Sequence, residues 1–261
     1  MTATSTVAAG TDRDALVSEA ERRAVRAAAG ATVRVIRTIG GWYWAIFAVV
    51  AATIAVLMTR YGSGLDEAVL DSQMGGSSRW VVLVLGLIVP AAYLRLHLAA
   101  GGTRATLVTG TVRGALTGGL LIGAITAVYL VGERALFAVL GVTWMREFGP
   151  PADGWAGIAL TVLTEALVVA TYYLVGATVG AGYRRLGVVP GTLYAVVALV
   201  PAALVDLATH TGVTALVVGP QNLPGGAGGV LLALVGGLVT VAMAAWLFRM
   251  SLRAVALRPS A

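Results

Sequence analysis

The chain has no cysteine and no lysine, and its 261 residues carry few charges of either sign. Without thiols there are no disulfides, thiolate nucleophiles or cysteine-ligated metals. Without lysine there is no standard Walker A phosphate loop, whose lysine must reach the β- and γ-phosphates of a nucleotide. Any work driven by ATP therefore needs a separate ATP-binding protein. Charged residues make up 11% of the chain and hydrophobic ones 58%, against about 25% charged in ordinary soluble domains. Such a composition is unsuited to water.

What the chain does have is apolar runs close to twenty residues long, the length that crosses a hydrocarbon layer about 30 Å thick. Backbone amides cannot stay unpaired in lipid, so runs of this kind must be helices. The runs predict spans at about 41–59, 80–99, 114–131, 155–179, 191–209 and 230–248. No apolar segment precedes Gly41, and the first span is expected to serve as an uncleaved anchor.

Arginine supplies all 18 basic residues, and its placement predicts orientation, because basic loops resist translocation. Arg13, Arg22, Arg23, Arg26, Arg34, Arg37, Arg95, Arg104, Arg113, Arg184, Arg185, Arg249, Arg253 and Arg258 fall on one side of six alternating spans. Only Arg60, Arg79, Arg134 and Arg146 fall on the other, with Asp66, Glu67, Asp71, Glu133, Glu147 and Asp153. The arginine-rich side reads as cytoplasmic and both termini share it. The net charge of +6 then reports topology and contact with the anionic lipid bilayer, not nucleic acid.

The expected fold is an all-α integral membrane protein with six transmembrane helices, placed in the plasma membrane. Residues 1–40 form a cytoplasmic tail and an N-terminal interfacial amphipathic helix, 41–248 the transmembrane domain and 249–261 a short basic cytoplasmic tail. The amphipathic helix rests on Leu16, Ala20, Ala24, Ala28, Ala31, Val35 and Ile39, which recur at helical spacing, with Arg23, Arg26, Arg34 and Arg37 on another face. A solvated helix fits residues 11–26 equally well. Trp42, Trp44, Trp80, Trp155 and Trp246 lie near the expected interfaces.

Catalytic chemistry finds little support. Serine is absent from the apolar runs, and His97 and His210 fall at opposite ends of the expected bundle, so the two cannot share one metal. Glu165, about ten residues into the fourth span, is the leading intramembrane candidate, because an ionisable group there costs at least about 2.5 kcal/mol unless it faces protein or water. Two readings are open: a transport-pathway group, or a carboxyl bonded to a neighbouring Thr or Tyr. Asp206 is a second such residue nearer the outer surface. Glu133 and Arg134 are expected to reach interface water.

Gly114 with Gly118, Gly119 with Gly123, and Gly176 with Gly180 are spaced to let helix backbones approach closely. Pro90 and Pro201 are expected to interrupt the second and fifth spans. Residues 211–229 are uncharged, with an apolar run at 213–218 followed by Pro220 and Pro224, and suit a re-entrant or interfacial hairpin on the outer side.

Two arginine-rich segments, RLHLAAGGTRATLVTG after the second span and VGAGYRRLGVVPG after the fourth, resemble actinobacterial ABC-transporter permease subunits of the type-2, exporter-like class. The likeness rests on His97, Gly102, Thr103 and Arg104, with Gly101 as an extra small residue, and on Gly182, Tyr183, Arg184, Arg185 and Gly187. It implies a dimerising permease, paired with a second copy or a paralogue, whose loop from Gly101 to Arg113 docks on an ABC-type ATP-binding subunit. Residues 103–111 are expected to lie across the cytoplasmic surface. ATP and Mg would belong to that partner; this chain would hold no cofactor or metal and would not itself be an enzyme. A competing reading is a stand-alone membrane protein, either a scaffold or immunity-type factor or a proton-coupled carrier using Glu165.

Overall fold

The computed structural model describes residues 3–61, 69–141, 143–144, 149, 154–219 and 222–255. Asp66, Glu67, Arg146, Glu147, Asp153, Pro220 and Arg258, used above to assign sidedness and the hairpin, lie outside the described residues. Every regular α- or π-helical element among the described residues follows the apolar runs or extends them. The order is α1 (Ala3–Val35), a π-helical turn (Ile36–Gly40), α2 (Gly41–Tyr61), α3 (Val69–Ala99), α4 (Arg104–Leu140) and α5 (Gly154–Leu186). There follow α6 (Val188–Ala198), α7 (Val200–Thr209), α8 (Gly212–Val218), α9 (Gly226–Leu231), a second π-helical turn (Leu232–Gly236) and α10 (Gly237–Arg253). Six of the resulting rods are long and apolar enough to cross a membrane, so the chain is a multi-pass membrane protein.

Close contacts fix the direction of each rod. Gly176 and Gly180 of α5 press on the carbonyls of Leu83 and Leu87 of α3, so these helices run parallel. Gly119 and Gly123 of α4 press on the carbonyls of Ala166 and Val162, so α4 opposes α5. Gly237 of α10 meets Leu167, and Thr240 meets Thr171 three to four residues further on, a parallel pair. Tyr183 faces Gly191 while Tyr172 reaches Asp206, so α6 and α7 return against α5. The alternation expected of six successive crossings is thus present in the packing.

α5 is the axis of the bundle, packing against α3, α4, α6, α7 and α10. From Ala166 to Gly182 every one of its residues is buried, and glycine at 176 and 180 removes the side-chain volume that would hold α3 away. All three predicted small-residue pairs pack in this way; Gly114 and Gly118 receive Thr32 and Ile36 of the N-terminal helix.

That N-terminal helix differs from expectation in its course. It passes through the π-helical turn directly into α2, with helical dihedrals at the junction. Along α4, Ala28 meets Gly110, Thr32 meets Gly114, Ile36 meets Gly118 and Gly40 meets Ile122, both numbers rising by four. α1 and α4 therefore run side by side and parallel. The buried stripe is Ala28, Thr32, Ile36 and Gly40, whereas Leu16 and Ile39 of the predicted apolar face are exposed. These positions are buried because Gly110, Gly114 and Gly118 on α4 leave room for Ala28, Thr32 and Ile36. Residues 103–111, expected to lie across the cytoplasmic surface, are instead the N-cap and opening turns of α4, with Leu107, Val108 and Thr111 buried.

The prolines act differently from one another. Pro201 sits in the first turn of α7, after the chain breaks at Leu199. Pro90 stays inside an unbroken α3, where its missing N–H costs a single ladder bond that neighbouring helices in a bundle tolerate. Trp44, assigned above to an interface, is buried against Tyr129.

Candidate functional site

The largest concentration of buried charge lies where α3, α5 and α7 meet. Arg79, placed by its position before the second apolar run in an outer loop, is inside α3 and 1% exposed. Its length carries the guanidinium into the bundle, where Nη1 donates to Asp206 Oδ1 at 2.7 Å. Nη2 lies 3.9 Å from Glu165 Oε1. The Tyr172 hydroxyl donates to the other oxygen of Asp206 at 2.9 Å. The two carboxylates singled out from the sequence therefore converge on one cation that the sequence reading assigned to solvent.

Local structure explains the placement. Glu165 and Tyr172 are seven residues apart on α5, two helical turns, and so share a face. Asp206 is in the last turn of α7, and its backbone carbonyl accepts from the N–H groups of His210 and Thr211. His210 takes a left-handed conformation (φ 56°) that ends α7 and lets α8 turn back over the cluster. Gly212 then sits so close that a Cβ there would strike Asp206 Oδ2 and Arg79 Nη1. Trp80 stacks edge-on against Tyr172, with centroids 6.0 Å apart. The ion pair is thus roofed by the start of α8 and walled by an indole.

His210 lies just beyond the fifth span. Its Nε2 is buried with no hydrogen-bond partner among the described residues, and burial lowers its pKa below the ordinary 6.5. Glu133, expected at interface water, is 3% exposed and turned inward, while Arg134 stays exposed with its guanidinium 5.6 Å from the Trp144 ring centroid.

At the arginine-rich end the first motif forms a rigid turn. Gly101 (φ 82°) reverses the chain after α3, and Gly102 packs where a Cβ would strike the His97 ring. Thr103 caps α4: its hydroxyl accepts from Thr106 N–H at 3.1 Å, and the Thr106 hydroxyl accepts from Thr103 N–H at 2.9 Å. Buried His97 joins this box through Thr106 at 3.0 Å. Arg104 reaches across the bundle to donate to the carbonyls of Arg253 at 2.7 Å and Val255 at 2.8 Å. Arg113 is exposed on α4.

The second motif builds the turn between α5 and α6. Gly187 (φ 83°) carries the reversal, Gly182 and Gly191 admit the rings of Tyr194 and Tyr183, and the Tyr183 hydroxyl meets Thr192 at 3.2 Å. Arg184 and Arg185 are left exposed at its tip.

Sequence reasoning missed Arg79 and Tyr172. The available signal was arithmetic: two carboxylates inside apolar spans need a cation, and Arg79, like Arg60, adjoins a predicted span on the side toward which Asp206 lies. No family model, no curated protein and no solved structure matches this chain.

Proposed function

We propose that the chain is the membrane-spanning permease subunit of an ABC transporter, an exporter of an amphiphilic or hydrophobic substrate, driven by a separate ATP-binding subunit at its cytoplasmic, arginine-rich end. The observation that carries this reading is the build of the 97–106 turn. A loop between two spans needs only to cover a short gap; here it is capped reciprocally, backed by His97 and tied by Arg104 to the end of α10. That ties the ends of α3, α4 and α10 together, as a surface receiving force from a motor requires.

Alternating helix directions, the small-residue seams and the short α8 outside the fifth span accord with the same reading. A second copy or a paralogue would complete the pathway, and the plasma membrane would hold both termini on the cytoplasmic side, with the amphipathic part of α1 at its interface. Substrate identity would be set by apolar surface, since the span interiors offer few polar groups apart from the Arg79 cluster.

Purification of the native complex in mild detergent tests this. An ATP-binding subunit should copurify, and the double charge reversal Arg184→Glu with Arg185→Glu should release it, because those side chains are exposed and bond to no described part of the fold. Isolation of the chain free of any ATP-binding protein, with its fold intact, would count against the proposal.

A further inference from the structure

The charges at the junction of α3, α5 and α7 do not balance. Arg79 contributes +1, Glu165 and Asp206 −1 each, so the fully ionised cluster carries −1 between membrane-spanning helices, where unbalanced charge is costly. Asp206 is well provided for as an anion: Arg79 holds one oxygen at 2.7 Å and Tyr172 the other at 2.9 Å. Glu165 is not. Among the described residues its one cationic partner is Arg79, with Nη2 at 3.9 Å, beyond hydrogen-bond reach.

Among the described residues no second cation pairs with Glu165. The stretch of α4 between Arg113 and Tyr129 contains no titratable residue, nor does the stretch from Gly226 to Phe248 that forms α9, the second π-helical turn and most of α10. α3 brings Arg79, α7 brings Asp206 and α5 itself brings Tyr172. Arg79 is buried with Nε and Nη2 lacking any hydrogen-bond acceptor among the described residues, and Nη2 is the atom directed at Glu165. Access is also unequal: the Glu165 side chain is 12% exposed, whereas those of Arg79 and Asp206 are 2% exposed.

We propose that Glu165 is a proton-binding site, taking up and releasing one proton beside a fixed Arg79–Asp206 pair. Uptake forms the O–H bond on the Glu165 carboxylate and brings the cluster to zero net charge; release returns the proton to water and restores the charge of −1. A metal cation is a poorer occupant, because it requires several oxygen ligands and no group of three or more His, Asp or Glu residues able to hold one occurs among the described residues. The site goes beyond the permease reading and does not depend on it, since nothing in it requires an ATP-binding subunit.

Infrared difference spectroscopy of the full-length chain in lipid, acid minus alkaline, tests it. The chain carries 12 Asp and Glu residues, so the spectrum of Glu165→Gln is subtracted: a carboxylic-acid carbonyl band that shifts in D₂O should remain in that double difference and persist at an altered frequency in Glu165→Asp. In Asp206→Asn the freed guanidinium turns to Glu165, and the midpoint of that band should move to lower pH by roughly one unit or more. Should Asp206→Asn fail to fold, the Glu165→Gln and Glu165→Asp spectra decide the proposal by themselves. No carboxyl band in that double difference, or one that is lost in Asp206→Asn, overturns the proposal. Loss of an ATP-binding partner leaves these spectra unchanged, so failure of the permease reading is separately visible.

Discussion

Arg79 and Asp206 stand 127 positions apart in the chain and 2.7 Å apart in space. Each side chain is 2% exposed, so the pair is a charge contact removed from water, tying the start of one span to the end of another. A buried pair of this sort adds little over apolar residues of equal volume, yet breaking it strands the remaining charge.

Arg79→Met should therefore cost about 3–5 kcal/mol of stability, and Asp206→Leu a similar amount. The double substitution should recover most of the loss, leaving a coupling energy far from zero. Unfolding in mixed micelles, followed by helical circular dichroism, reads all three variants. Additive losses would show that the two residues act apart.

The glycine seams make a second prediction, which sets near-identical substitutions against each other. Gly176→Ala places a methyl group on the Leu83 carbonyl, forcing α3 off α5, whereas Gly132→Ala meets nothing within 4 Å. The first should destabilise by at least about 1–3 kcal/mol, as overpacking does. The second should be neutral or stabilising by up to about 1 kcal/mol, since alanine is the better helix former. Thermal unfolding in detergent of the two variants side by side decides the point.

Those seams were legible beforehand, because four-residue spacing of small residues inside an apolar run has one common meaning, and so were the six rods, because run length and backbone hydrogen bonding leave no other fold. The ends of the rods were less legible. Helix α4 begins at Arg104, ten residues before its apolar run, because Leu107, Val108 and Thr111 are buried by packing within the fold and not by lipid. Arg79 was hidden for a related reason. Its Cα lies at the edge of a run, where a charge reads as a loop, and only the reach of its side chain and the fold of distant Asp206 bring it inside. Glu165 and Asp206 could be chosen from sequence because their own backbones lie within apolar runs, Glu165 deep in the fourth and Asp206 near the outer end of the fifth.

His210 supplies a pH dependence whose sign follows from burial. Desolvation lowers its folded pKa below 6.5, so the unfolded chain binds a proton more readily. Stability associated with this residue is full above the unfolded pKa, declines as pH drops through about 6.5 and is lost once pH falls below the folded pKa. His210→Asn keeps a residue that tolerates the left-handed conformation and should flatten that decline. Midpoint temperatures collected from pH 8 down to about 5 for both proteins test it; an unchanged slope in the variant would assign the acid sensitivity elsewhere.

Arg104 was expected to face a partner, yet its guanidinium donates to the Arg253 and Val255 carbonyls, two acceptors that the end of α10 leaves without intrahelical donors. Weakened docking in an Arg104 variant would thus be ambiguous, since the same change frees the end of the last helix. Hydrogen exchange separates the effects. In Arg104→Ala the amides of Ala254 and Val255, which now close the final turn onto Ser251 and Leu252, should lose protection, at a cost of about 1 kcal/mol for the partly exposed contacts. Arg113→Ala, on the exposed face of α4, should leave those amides unchanged. If Arg104→Ala also leaves them protected, the end of α10 is held by packing of Leu252 and Val255 alone, and loss of a partner could then be read as direct contact with Arg104.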